Sequence, residues 1–469
     1  MKKRRILWVL GILLLAGAGV AAALLLTNRR DVTTSSQAAY EAFQQASMDR
    51  SRFYTKEARL GFAKALELDP NFALAMLNLA ELSDRAQAIT LVHRAERERD
   101  RLTPRERYHV DMAVADAEGK PDKFFQLAHE LRAKYPGDPM GAMVLAREAI
   151  LRGDRDEAIQ RYQELLAVNP NYSDAYNQIG YYYGFRGDYA RAIDYLEKYR
   201  FISRDNANPF DSLGENQAYS GHYNEAIENL NRALAIKPDF SPAYMHLGVA
   251  YEGMGDYAKA VQMYEKAATF DGVGNDKRGM LVLATRAALN GGDKTKALEL
   301  LDQIAKLPPD PKNEHPHINQ EFMAAVRDLV ENRPADAERR LNSIRPEMDA
   351  VWASYEKAGK IPLGLKPHFP EWNYAMALAL EKQGRTDEAL VFYEKNANPP
   401  NPFTDFPQRR WIQEARAKVA EIVARKGDLD RAEKLIAENR KWNPSWAPSH
   451  SSEEAVAELR RAKVMAASK

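Results

Sequence analysis

The side chains that could do chemistry are few and scattered. The chain has nine histidines and no cysteine among its 469 residues, which excludes thiolate nucleophiles, disulfides, iron–sulfur ligation and cysteine-based zinc sites. Only Glu314-His315-Pro316-His317 gathers metal-ligating residue types, and it sits in a proline-rich stretch with no second cluster to complete a coordination sphere. His315, His317 and His368 are the only support for a hydrolase reading, and no nucleophile or base is paired with them. The patterns GxxxxGK[ST], GxSxG and HExxH are all absent, so phosphate-loop, esterase and zincin chemistry lack their minimum parts. Gly272-Val273-Gly274 has no preceding strand of the kind a dinucleotide site requires. The expectation is a protein that is not an enzyme and has no catalytic residues, no cofactor and no metal.

The elements around these residues carry a stronger signal. Gly153-Asp154, Gly187-Asp188, Gly221-His222 and Gly255-Asp256 recur at a fixed period of 34 residues. Five residues after each glycine stands an alanine (Ala158, Ala192, Ala226, Ala260), and four further on a large side chain (Tyr162, Leu196, Leu230, Tyr264), which places both on one helix face. Upstream of three of these turns, Tyr176, Ile179 and Tyr183, then Phe210 and Leu213, then Tyr244, Leu247 and Tyr251 follow a helical period. Gly180, Gly214 and Gly248 each follow the middle apolar position. A glycine there costs a helix about 1 kcal/mol, and its recurrence predicts that paired helices approach closely. Leu68-Asp69-Pro70, Val168-Asn169-Pro170 and Ile236-Lys237-Pro238 end one helix and start the next.

These spacings resemble the tetratricopeptide repeat family, whose unit is a 34-residue helical hairpin. The resemblance covers 139–272 in four regular units and the helix around Ala58, Phe62 and Ala65. It continues with insertions through Ala297 and Leu301, Ala337 and Leu341, Ala389 and Tyr393, and Ala432 and Ile436. It implies an all-α, right-handed superhelical solenoid of about nine to ten hairpins over 37–444. The mixed-charge run His93–Arg101 reads as a solvated helix in an irregular early unit. Three proline-rich breaks fall at 307–317, 361–370 and 398–407, and 445–469 reads as a polar helix capping the last repeat.

By the same resemblance, the first helix of each hairpin lines an inner wall. The residues implied to face it are Met143, Arg147, Asn177, Tyr181, Phe185, Asn208, Asp211, Glu215, Tyr219, Met245 and Glu252. Aromatic rings and carboxylates in that arrangement suit an extended peptide or an amphipathic helix carrying Lys or Arg. The lysine and asparagine clamp that some family members use for an acidic C-terminus is not matched, since Asn177 is followed by Tyr181 and the next unit holds Asp211 and Glu215. A second reading is an accessory subunit of an envelope polysaccharide or secretion machine touching glycan or lipid-linked substrate, suggested by Trp352, Trp372, Trp411, Trp442 and Trp446 in the C-terminal third.

Residues 6–26 form an uncharged and almost wholly apolar run, long enough for a helix to cross the roughly 30 Å core of a bilayer. Lys2, Lys3, Arg4 and Arg5 precede it, which predicts a cytoplasmic N-terminus (1–5), an uncleaved transmembrane helix (6–26), a linker (27–36) and a periplasmic body. A cleaved signal peptide ending near Ala21-Ala22-Ala23 is the competing reading, disfavoured by the length of the run. The formal charge of +1 depends on those basic residues with Arg29 and Arg30, so the body has a small acidic excess and is a poor general binder of nucleic acid. The body divides into irregular units (37–138), four regular units (139–272), further units with proline-rich insertions (273–444) and the cap (445–469). The implied function is a membrane-anchored scaffold or assembly factor for protein or peptide partners of the cell envelope. Homo-oligomerisation is left open.

Overall fold

The computed structural model describes residues 32–270, 277–308, 315–358, 366–400 and 406–467. These form α-helices joined by short turns, with no strand among the described residues. The helices run α1 (Gln37–Ser51), α2 (Thr55–Leu68), α3 (Ala73–Glu81), α4 (Arg85–Arg97), α5 (Pro104–Ala117), α6 (Pro121–Lys134), α7 (Pro139–Leu151) and α8 (Arg155–Val168). Then come α9 (Ser173–Phe185), α10 (Tyr189–Ile202), α11 (Ala207–Ser220), α12 (Tyr223–Ile236), α13 (Ser241–Gly253), α14 (Tyr257–Ala267), α15 (Lys277–Asn290) and α16 (Lys294–Ala305). The chain closes with α17 (Pro316–Val330), α18 (Pro334–Lys357), α19 (Pro370–Lys382), α20 (Thr386–Ala397), α21 (Phe406–Arg425), α22 (Leu429–Trp442) and α23 (Ala447–Ala467). Of the described residues, 32–48 and 57–131 make one compact unit, and 49–56 with 132–467 make the other.

In the smaller unit, Phe43, Phe62 and Phe72 pack ring against ring, with centroids 5.6 and 4.8 Å apart from Phe43. The predicted linker is held in its last part. Thr33 donates through its backbone N–H and its hydroxyl to Glu106, both at 2.6 Å, and the Thr34 hydroxyl and the Ser35 N–H donate to Asp69 at 2.6 and 2.9 Å. Glu106 also completes a capping box with Thr103 at the start of α5. The mixed-charge run is neutralised locally: Arg101 pairs with Glu98 within it at 2.9 Å, and Arg99 pairs with Asp111 of α5 at 2.6 Å.

The larger unit shows why a 34-residue period gives hairpins. Each turn glycine has positive φ, +81° at Gly153, +78° at Gly187, +87° at Gly221 and +82° at Gly255. The aspartates that follow, Asp154, Asp188 and Asp256, cap the next helix by accepting from its N–H groups. At the irregular unit Asn332 takes the same left-handed role, with φ +61°, which is why that repeat reads weakly in sequence. The alanine series is wholly buried at every hairpin, from Ala158, Ala192, Ala226 and Ala260 to Ala297, Ala337, Ala389 and Ala432.

Helices of a pair touch where the glycines stand. A Cβ at Gly180 would come within 2.7 Å of Leu196, one at Gly214 within 2.7 Å of Leu230, and one at Gly248 within 2.5 Å of the Tyr264 ring. Glycine is retained there for space, since all three lie inside helices. The core falls into successive apolar clusters, one spanning residues 189–330 and another 325–456. At the C-terminus, α23 closes the last hairpin, with Ser452 donating to Glu421 at 2.6 Å and Arg440 pairing with Glu453.

The expected localisation is corrected. Among the described residues no helix is long and apolar enough to cross a membrane, so a single-pass inner-membrane protein with a periplasmic body is not upheld. Residues 6–26, on which that expectation rested, lie outside the described residues, as do most of the three proline-rich breaks. The envelope setting of the partners rested on the same segment.

Gly248→Val should destabilise the fold by about 1–3 kcal/mol through forced displacement of Tyr264, measured by urea unfolding. An unchanged midpoint would show that the helices of this pair are not in close contact.

Candidate functional site

The sequence-predicted wall residues separate into three groups. Met143 and Arg147 are exposed on α7, where the Tyr172 hydroxyl points at the Met143 sulfur from 3.6 Å. Tyr181, Phe185, Glu215 and Met245 are half-buried, whereas Asn177, Asn208, Asp211, Tyr219 and Glu252 are buried. Asn208 turns away to donate to the Tyr199 hydroxyl at 2.9 Å and so serves the junction of α10 and α11.

The acids of the wall are linked from one repeat to the next. Tyr181 donates to Glu215, one period further on, at 2.5 Å. His246 lies between Asp211 at 2.8 Å and Glu215 at 3.3 Å. Burial alone would lower the His246 pKa, but the two carboxylates raise it well above the usual histidine value, so the ring is held as a cation.

A second cluster centres on Glu252 of α13. Its carboxylate accepts from the Tyr264 hydroxyl at 3.0 Å, from Arg286 at 3.2 Å and from Asn290 at 3.3 Å, and it pairs with Arg410 of α21. Arg286 also reaches Glu414 at 3.2 Å and lies over the Trp411 ring at 4.7 Å. Burial would raise the Glu252 pKa, yet Arg410 and Arg286 outweigh it and hold the carboxyl at about 2. Arg410 and Glu414 are themselves buried, so these charges have exchanged water for one another.

Sequence reasoning missed the groups that cover this wall. Arg409, next to Arg410, donates to the carbonyls of Gly184 and Phe185 at the end of α9, the former at 3.0 Å, and to the Tyr189 hydroxyl at 2.7 Å. The last carbonyls of a helix lack partners within it and carry the negative end of its dipole, so a guanidinium is well matched there. Trp442 stacks under both Arg409 and Arg416, at 5.0 and 4.6 Å. Asn443 repeats the arrangement one repeat further on, donating to the Tyr223 hydroxyl at 3.0 Å and to the Ala218 carbonyl of α11 at 3.4 Å. Ala447 then reaches Gly255, where an added Cβ would lie 3.3 Å from it. A strip at 442–447 thus crosses the turn glycines of three consecutive repeats. The only sequence signal was Trp442-Asn443-Pro444, which reads equally well as an ordinary repeat boundary.

The remaining candidates do not converge on chemistry. His315 and His317 both face Glu347, at 3.4 and 3.1 Å, whereas His368 hydrogen-bonds with Lys395 and Asn396. Among the described residues no group of three metal-ligating side chains is placed to hold an ion. Four of the five tryptophans that suggested sugar binding are taken up by packing, and Trp352 lies edge-on to Phe369 with its indole N–H unpartnered among the described residues. Trp372 and Trp446 are buried, Trp411 is held by Glu371 and Tyr374, and Trp442 lies under the two arginines.

Residues 162–194 and 241–272 match the tetratricopeptide repeat family, and 218–255 match the TPR repeat family. The chain is a tetratricopeptide repeat protein. No curated protein matches its sequence. Among solved structures it is similar to MamA, at 25% identity over 34% of this chain and 92% of that one, with a TM-score of 0.29. It is also similar to the Cut9–Hcn1 assembly of the APC/C, at 12% identity over 94% and 81% with a TM-score of 0.45. A third is PilW, titled a widely conserved type IV pilus biogenesis factor, at 19% identity over 45% and 94% with a TM-score of 0.37.

Glu252→Gln should cost roughly 3–5 kcal/mol at pH 7, because it leaves the buried Arg410 guanidinium without its carboxylate and Arg286 with Glu414 alone. The native carboxyl stays ionised down to about 2, whereas in the unfolded chain it takes up a proton near its ordinary value of 4.5. Its contribution is therefore complete above the unfolded value and is lost as pH falls through the native one, at about 1.4 kcal/mol per pH unit. Urea unfolding of wild type and variant should show the gap narrowing between pH 7 and pH 3, and a constant gap would contradict the assignment.

Proposed function

We propose that the chain is a protein-binding scaffold, not an enzyme, and that the first helices of its hairpins form the surface on which a peptide or helix is held. The observation that carries this reading is the cis contact itself. Aligned carboxylates, aromatic rings and helix-end carbonyls on α9, α11 and α13 already hold a segment of polypeptide through Arg409, Arg410 and Asn443. Such a wall recognises by charge and by backbone groups, and it needs no reactive side chain to do so. Met143 and Arg147 extend the wall onto α7 with exposed side chains.

A photo-crosslinking amino acid at Met143, and separately at the exposed Gln160 of α8 as an outer-face control, tests this in cells. Discrete protein adducts from position 143 and none from 160 are expected. Adducts from neither position, or equal adducts from both, would contradict an inner-wall scaffold.

A further inference from the structure

Two arginines of the chain's own α21 reach the wall of the regular repeats. Its apolar residues, Ala415, Val419, Ala420, Ile422 and Val423, belong to the C-terminal cluster, whereas Arg409 and Arg410, one turn nearer its N-terminus, reach α9 and α13. The helix therefore has two sets of commitments, apolar to the C-terminal repeats and ionic to the regular repeats.

We propose that the Arg409–Arg410 pair closes the inner wall in cis, and that the same site, once released, takes a partner helix presenting two adjacent arginines. The chemistry of the site specifies that partner. One guanidinium must meet the Gly184 and Phe185 carbonyls at the end of α9, as Arg409 does, and the other must meet the Glu252 carboxylate, as Arg410 does. A lysine satisfies the charge but cannot fork between two acceptors. The closure is also of a kind that a competitor can displace. Its contacts are mostly polar, and the attraction within a buried ion pair is largely offset by the desolvation of both charges. A partner that supplies the same two groups replaces them one for one, whereas an acidic or purely apolar helix leaves the buried Glu252 carboxylate without the Arg410 guanidinium, with Arg286 as its remaining cation. The inference rests on the scaffold reading, since it names the partner class and the regulation of the same surface.

The chain has no native cysteine, so a spin-label pair at Arg191→Cys and Lys441→Cys, both exposed, reports on closure in the full-length protein. A single short distance is expected in wild type and a longer, broader one in Arg409→Ala/Arg410→Ala. Arg410→Lys, which keeps the charge, should lie between them and serves if the double variant fails to fold. In parallel, a fluorescent peptide of residues 406–425 should bind the opened variant at least tenfold tighter than wild type, and the same peptide with both arginines replaced by alanine should bind neither. Unchanged distances in folded variants, or equal peptide affinity for the closed and opened forms, would overturn the proposal. If either occurs while the position-143 adducts persist, the closure is wrong and the scaffold reading stands; loss of those adducts from wild type and opened variant alike counts against the scaffold itself.

Discussion

A carboxylate with almost no access to water, as at Glu252, has to be matched by positive charge or lose its own. Here two guanidiniums do the matching, and they come from distant parts of the sequence, Arg286 from the next repeat and Arg410 from α21. That requirement ties the regular repeats to the C-terminal ones in a way that the stacking of neighbouring hairpins does not. Stacking is local and apolar, set by buried alanines and by glycines that let Leu196, Leu230 and Tyr264 approach a helix backbone. The Glu252 cluster is long-range and ionic. It adds to the local stack a contact between α13 and α21.

The same logic explains the arrangement of the other wall acids. Asp211 and Glu215 lie on one face of α11 and share the His246 ring from the following repeat, while Tyr181 from the preceding repeat donates to Glu215. Each acid is thus answered by a neighbour one period away. The wall keeps its charge without exposing it all to solvent. Most of the wall's charged groups are met by another, and a ligand taken there, as proposed, would replace those partners. Arg409 and Asn443 engage the same helices at backbone level, each meeting a carbonyl at the end of a first helix.

Much of the fold was legible because it is periodic. The positive-φ glycines, the aspartate caps and the buried alanines are local necessities that recur at 34 residues, so the residue types betray them without any knowledge of tertiary contacts. Gly180, Gly214 and Gly248 were readable for the same reason. The wall was legible as a list and not as an environment. Periodicity identifies which side of α11 carries Asp211, but not that His246 would meet it, and it cannot reveal that Arg410 of α21 would meet Glu252 of α13. Arg409 and Arg410 belong to a helix whose apolar pattern explains it fully as a repeat helix, and their second role depends on chain separations of more than 140 residues. The N-terminal apolar run misled in the opposite direction, since a compositional signal at 6–26 set the expected location of the whole body.

The measurement that bears most directly on this account is a double-mutant cycle between Glu252 and Arg410, using Glu252→Gln and Arg410→Met in the full-length chain and urea unfolding at pH 7. A coupling of about 2–4 kcal/mol is expected for a desolvated pair whose partners each depend on the other. Additive effects, with a coupling below about 0.5 kcal/mol, would mean that Arg410 and Glu252 do not meet in solution and that the inner wall is open.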